Sequence, residues 1–308
     1  MLSSGRPCLP SIMVWARRGT NVNRSAGASF RQAVDTEQPL QVAGVINAYC
    51  ARLAQRAGFR ALYLSGAGVA NASLSIPDLG MTTLNDVLDD TRRITAATDL
   101  PLLVDCDTGW GSPLTIARTV REMTRAGAAA IHLEDQVDAK RCGHRPGKLL
   151  VACDAMVDRL HAAVDARIDR ELVIMARTDA ASVEGRGAAI QRAGGYVAAG
   201  ADMIFAEALA SADEFRQFAQ AVAVPVLANM TEFGRSPLLS VEELRSTGIR
   251  LVLYPLTAFR AMSAAADRVY QTLRSAGTQR DLLPSLQTRE ELYEVLDYQA
   301  FEQRVDPQ

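Results

Sequence analysis

From residue 40 onward, apolar runs of four or five residues alternate with longer segments whose apolar positions recur at helical spacing. The runs predict strands over 42–46, 61–64, 102–105, 129–133, 172–176, 202–205, 225–228 and 250–254. Strands separated by helices are joined by crossovers, so they pair in parallel. Glycine recurs at Gly58, Gly127, Gly200 and Gly248, each time where a helix would end in a left-handed residue before an apolar run. Four such junctions in phase with the strands mark one repeated unit. Eight units over about 220 residues fit a TIM (β/α)8 barrel. An open, doubly wound sheet has the same alternation, but no glycine-rich phosphate-binding fingerprint follows the first run.

The helical stretch from Thr257 to Tyr298 is longer than one closing helix needs, and the surplus is expected to pack against another subunit. Residues 28–308 are therefore expected to form one barrel domain with extra C-terminal helices. The first 34 residues hold no acid but carry Arg6, Arg17, Arg18, Arg24 and Arg31. That composition suits a disordered N-terminal extension, placed at 1–27, or a mitochondrial transit segment; a cytoplasmic location is the expectation adopted.

With 48% hydrophobic and 22% charged residues among 308, the chain has ample material for a core. A formal net charge of −2 supplies no basic field for nucleic acid or an anionic membrane, which leaves a small molecule as the expected partner. No apolar run is long enough to span a bilayer. The five cysteines form no CxxC pair and no finger-like spacing with the three histidines, so neither a disulfide framework nor a structural zinc site is expected.

A barrel works at the carboxyl ends of its strands, and those ends are polar here. They carry Asn47, Ser65-Gly66, Asp105-Cys106-Asp107, Glu134-Asp135, Arg177-Thr178-Asp179, Glu207, Asn229-Met230-Thr231 and Tyr254-Pro255. Asp105 and Asp107 are two apart, so in extended chain both carboxylates face one side. With Glu134 they suit a hard divalent cation, Mg²⁺ foremost, although Asp-x-Asp-x-Gly also reads as turn chemistry. Asp78 reads as an outer carboxylate or a helix cap, and His132 as a core histidine or an outer support of the metal. Ser65-Gly66-Ala67 offers backbone N–H groups to an anion or simply makes a tight turn. Arg177, emerging from an apolar run, needs an anion, either Glu207 or a substrate carboxylate.

The segment Lys140-Arg141-Cys142-Gly143-His144-Arg145 sets one thiol among three cations, flanked by Gly143 and Gly147. It reads as a lid whose cysteine has a lowered pKa, or as a solvated basic loop.

Taken together, Leu64-Ser-Gly66, Val104-Asp-Cys-Asp107, Glu134-Asp-Gln136, Lys140 through Pro146, Met175-Ala-Arg-Thr-Asp179, Asn229 through Gly234 and Tyr254 through Arg260 resemble the isocitrate lyase and phosphoenolpyruvate mutase superfamily. Within it the resemblance is to the 2-methylisocitrate lyase branch, over about Phe30 to Val305. It implies a TIM barrel whose last helix is exchanged between subunits, a homotetramer built from such dimers, and Mg²⁺, with Mn²⁺ able to substitute. It also implies cleavage of 2-methylisocitrate to pyruvate and succinate in propionate breakdown through the methylcitrate cycle. By matching motif, Asp105 and Asp107 hold the metal, with Glu134 nearby, and the open readings of Asp78 and His132 would place them in an outer shell. Ser65, Gly66, Ala67, Cys142, Gly143, His144, Arg177, Glu207, Asn229, Thr231, Arg260 and Arg289 line the substrate site. Cys142 is then the acid that protonates the succinyl carbanion, and Tyr63 is the expected base. Ala67 departs from a third consecutive glycine common in related lyases. Rival readings are isocitrate lyase or another 2-hydroxydicarboxylate lyase of the superfamily, and a non-enzymatic carboxylate-binding scaffold on the same barrel.

Overall fold

The computed structural model describes residues 24–305. Eight strands, β1 (Leu40–Gly44), β2 (Ala61–Leu64), β3 (Leu102–Asp105), β4 (Ala130–Glu134), β5 (Val173–Thr178), β6 (Met203–Ala206), β7 (Val226–Asn229) and β8 (Leu251–Tyr254), form a closed barrel. Each pairs in parallel with the next, and β8 closes on β1. The expected TIM barrel is therefore present. The expected first strand lies two residues too late, because Val45 and Ile46 continue the apolar run past the strand end to pack among the surrounding helices.

Alternation along each strand splits the core in two. Leu40, Val42, Tyr63, Leu103, Met175, Phe205 and Leu253 point inward, while Leu62, Leu64, Val104, Ile131, Ile174 and Val252 pack against the surrounding helices. Helix Ala26–Thr36 contributes Phe30 and Val34 to the inner layer. It is capped by Ser25, whose side chain accepts from the Ala28 N–H. The folded chain thus starts before position 28, which trims the expected N-terminal extension; the rest of that segment lies outside the described residues.

The four repeated glycines all have left-handed backbones, with φ of +93° at Gly58, +91° at Gly127, +98° at Gly200 and +87° at Gly248. Each turns the chain from a helix end into the next strand. After β8, helix Thr257–Ala276 runs for 20 residues and buries none of them. Met262, Tyr270 and Leu273 on it are exposed, as are Leu283, Leu286 and Tyr293 beyond it. Among the described residues no helix is long and apolar enough to cross a membrane.

A Cβ at Gly58 would meet nothing within 4 Å, so any cost of a side chain there comes from the backbone alone. Gly58→Ala is expected to lower unfolding free energy by about 1–2 kcal/mol, read as a shift of the urea midpoint at unchanged slope.

Candidate active site

The register of the barrel sets the charged residues side by side: Asp105 pairs with His132 across β3 and β4, and Glu134 with Arg177 across β4 and β5. Arg177 is the centre of the group. Its Nε lies 3.0 Å from Asp179 Oδ2 and 3.4 Å from Glu134 Oε2, and its Nη2 lies 3.3 Å from Glu207 Oε2. Burial alone would favour losing its proton, but the Asp179, Glu134 and Glu207 carboxylates outweigh that and hold the guanidinium charged. The ring of Phe205 lies beneath it, 5.1 Å from the guanidinium carbon. Glu207 is thus a partner, as expected, but Asp179, two residues along the same chain, is the closer one.

Asp105 and Asp107 converge, though not as neighbours on extended chain. Asp107 has φ +47°, a left-handed turn that folds its N–H back onto Asp105 Oδ1 at 3.0 Å. Both carboxylates face Gly66, where a Cβ would come within 2.9 Å of Asp107 Oδ1 and 3.1 Å of Asp105 Oδ2. The Gly66 N–H donates to Asp105 Oδ2, so that donor, expected to face a substrate anion, is used on the aspartate instead. Burial pushes the Asp105 carboxyl up, but the Lys140 and Arg177 cations and the Gly66 N–H hold it below the usual range. At Asp107 burial and the neighbouring Asp105 win, and its pKa is pushed up to about 6. Lys140, on the lid, sets its ammonium 2.7 Å from Asp78 and 2.5 Å from Asp107. Asp78 is therefore an ion-pair partner of Lys140, and the helix that follows, Leu84–Ala97, is capped by Thr83 instead.

Tyr63 sits under this group, 2% exposed, with its hydroxyl donating to Asp105 Oδ2 at 3.2 Å and 3.0 Å from His132 Nε2. Burial and the Asp105 charge push its pKa well up, which makes the phenol a proton donor at rest. His132 is a core histidine in contact with this group: fully buried, stacked on Tyr63, and within 3.5 Å of Asp105 Oδ1. Burial lowers its pKa to about 4, so it is neutral at pH 7.

Among the described residues no three His, Cys, Asp or Glu side chains form a closed metal cage. The donor set still fits Mg²⁺, which binds through one or two carboxylates and keeps several of its waters. Glu134 is fully buried with neither oxygen hydrogen-bonded, and buried carboxylates outnumber the cations set among them.

The lid is tied at its base by the Gln136 side chain, which donates to Arg141 O at 2.9 Å and accepts the Arg141 N–H at 3.0 Å. Val137 N–H donates to Leu149 O, 3.0 Å, across its neck. Gly143 lies against Arg177 and Glu207, where a Cβ would come within 2.5 Å of Arg177 Nη2. His144 Nδ1 accepts the Arg235 N–H at 2.9 Å, leaving its other nitrogen 2.7 Å from Glu207 Oε1. Burial opposes ionisation of Glu207, but Arg177 and His144 hold its carboxyl down at about 2. The Lys140 ammonium, one of the three cations expected around Cys142, is committed to Asp78 and Asp107 instead.

Under the lid lies a cavity of about 70 Å³, lined by polar groups from Ser65, Cys142, Arg177, Glu207, Asn229 and Thr231 and by the apolar surfaces of Ala67, Phe205, Pro255 and Leu256. A second cavity, about 380 Å³, adjoins it behind Asp107 and Lys140, between Thr82 and Trp110. Arg260 and Arg289 stay outside both: Arg260 is exposed over Phe233, 5.6 Å from the ring, and Arg289 is in the exposed first turn of helix Arg289–Leu296. Both sit on the C-terminal segment whose apolar face is uncovered.

A closed barrel with buried carboxylates at its strand ends and a cysteine-bearing lid above them is the arrangement of a barrel enzyme acting on a small molecule. Residues 30–274 match the model of the family described as phosphoenolpyruvate phosphomutase, and the chain belongs to that family. It is 58% identical over 285 residues to a 2-methylisocitrate lyase of Shewanella oneidensis, covering 92% of this chain and 98% of that one. Among solved structures it is similar to a 2,3-dimethylmalate lyase, with a TM-score of 0.85 and 36% identity over 92% of this chain and 95% of the other. A phosphonopyruvate hydrolase solved with oxalate and Mg²⁺ matches with a TM-score of 0.80 and 27% identity, over 91% and 97% of the two chains. The chain is a carbon–carbon lyase.

His132 gives a pH test. Its folded pKa of about 4 lies below the ordinary value of 6.5, so the folded state resists a proton that the unfolded chain accepts. Stability is expected to fall as pH drops from 6.5 toward 4, by up to about 1.4 kcal/mol per pH unit from this group. Urea midpoints at pH 7 and 5 should differ less in His132→Gln than in the unaltered chain.

Proposed function

We propose that the lyase acts on 2-methylisocitrate, giving pyruvate and succinate, in propionate breakdown, with Mg²⁺ as its cofactor. The observation that carries this reading is the packing of Gly143, next to Cys142, directly on Arg177 and Glu207, which sets a thiol over an arginine in a site walled by Ala67, Phe205, Pro255 and Leu256. The arginine suits a carboxylate, and the apolar wall suits a methyl group. The identity to a 2-methylisocitrate lyase and the Mg²⁺ bound by a phosphonopyruvate hydrolase of the same fold support the substrate and the metal.

Asp105 and Asp107 would hold the metal, with Glu134 beside them, Asp78 and His132 further out, and Mn²⁺ as a substitute. Once bound, Mg²⁺ supplies positive charge that favours ionisation of the substrate hydroxyl and offsets the burial that keeps Tyr63 protonated. Arg177 binds the carboxylate on the hydroxyl-bearing carbon. Glu207, held by His144 and lying 3.3 Å from the Asn229 amide, keeps Arg177 in place. Tyr63 is the group we place at the hydroxyl proton, which it would accept as the phenolate, the form that the bound cation's charge would favour. As that O–H bond breaks, the adjacent carbon–carbon bond cleaves, the oxygen becomes the ketone of pyruvate, and the electron pair passes to the succinyl carbon. Cys142 gives its thiol proton to that carbon, and the reverse reaction returns it. Closing the lid keeps water from competing for the carbanion.

The long exposed helix Thr257–Ala276 supports an exchange of C-terminal helices between two chains, and a homotetramer of such dimers. Light scattering is expected to give a mass near four chains, and deletion of residues 257–305 to abolish assembly.

The decisive assay measures pyruvate from 2-methylisocitrate beside glyoxylate from isocitrate. The first is expected to dominate by at least about tenfold in kcat/KM, a difference one methyl group can supply. Equal turnover of isocitrate would overturn the substrate assignment. Chelation should abolish activity and added Mg²⁺ restore it. Cys142→Ser should lower kcat by about 10²–10⁴-fold, and near-normal turnover would remove the thiol from its role.

A further inference from the structure

The lid carries two buried lysines. Lys140, at one end, is bound to carboxylates of the metal site, whereas Lys148, at the other, has no part in the chemistry set out above. The Lys148 side chain is 2% exposed, and an ammonium so deeply buried requires fixed partners. It has two: Nζ donates to the Gly143 carbonyl and lies 2.7 Å from Asp179 Oδ1.

Asp179 is the carboxylate that also takes Arg177 Nε at 3.0 Å and Nη2 at 3.3 Å. Its own N–H donates to Asp135 Oδ1 at 2.9 Å, and Asp135 Oδ2 in turn accepts from Thr178 Oγ1 at 2.7 Å and Tyr196 Oη at 2.9 Å, so the acceptor sits on a rigid support. One buried carboxylate is thus shared by the cation placed on the substrate and the cation that holds the lid. The carbonyl Lys148 grips is the one immediately after Cys142. Drawing it inward presses the Gly143 backbone onto Arg177 and Glu207. Gly147, at φ +81°, lets the chain double back so that Lys148 can reach that carbonyl from within the same loop.

We propose that Lys148 is a positioning residue for this reaction: a latch that holds the lid shut through the Gly143 carbonyl and couples closure to Arg177 through Asp179. The latch rests on the reading of Cys142 as the acid only for its effect on turnover; its effect on the lid stands apart from that reading.

The experiment uses the purified full chain without substrate. Trypsin cleavage of the Arg141–Cys142 bond, followed by mass spectrometry, reports how often the lid opens, because Arg141 is exposed and its segment is held down only when the lid is closed. In Lys148→Met this bond is expected to be cut about tenfold faster, with kcat for 2-methylisocitrate at least about tenfold lower and KM changed less than kcat. Lys148→Arg, which keeps the charge, should restore part of the protection and part of the turnover. Should Lys148→Met fail to fold, Lys148→Gln carries the same readings. Cleavage at the unaltered rate in a folded variant overturns the latch, whatever happens to kcat. Faster cleavage in a chain that shows no lyase activity at all upholds the latch and overturns the proposed reaction instead.

Discussion

A guanidinium removed from water has to be surrounded by anions, and much of the upper face of this barrel follows from that requirement at Arg177. The residue is buried at the end of β5, and three carboxylates from three strand ends, Asp179, Glu134 and Glu207, close around it. Those carboxylates are buried in turn and need their own partners. Glu207 takes His144 from the lid and Asp179 takes Lys148, whereas Glu134, with neither oxygen hydrogen-bonded, has its pKa pushed well up by burial. Charge compensation therefore propagates outward from one side chain until it has fixed the lid over the strand ends.

The barrel beneath supplies rigidity for this. Inward residues such as Met175, Phe205 and Leu253 fill the interior below the charged layer, and Tyr63 and His132 form the boundary between the two. Both boundary groups are held by burial in uncharged forms, so the apolar core meets the anionic rim through neutral hydrogen bonds instead of through an isolated charge.

The strands were legible because each is a short apolar run bounded by turn residues, and the left-handed glycines repeated in phase with them. Asp105, Asp107, Glu134, Arg177 and Glu207 were legible as polar groups at strand ends, where an apolar barrel has no structural need of them. The turn at Asp107 was not, because a left-handed aspartate leaves no mark in spacing. Lys148 was missed because in sequence it is one more cation in a basic loop, and its partner Asp179 lies 31 residues away, just past the end of β5. Asp179 stands two positions from Arg177 at the same polar strand end, but spacing alone does not show that its carboxylate folds back onto the guanidinium. Arg260 and Arg289 came from family resemblance alone, and a single chain leaves both on an exposed segment.

The lid is fastened at both ends by amines that reach down to carboxylates of the barrel, Lys140 to Asp78 and Asp107, and Lys148 to Asp179. Between these two fixed points the seven residues 141–147 bridge a constant gap, so the stretch behaves as an interchangeable cassette. Gly143, His144 and Gly147 are held in it by Arg177, Glu207 and a left-handed turn, so only the remaining side chains, Cys142 among them, can be altered without disturbing the charge network, provided the number of residues between the anchors is kept. A scaffold with this property can diversify its chemistry by sequence drift in one short insert, while the expensive part of the protein, its buried charge network, stays untouched.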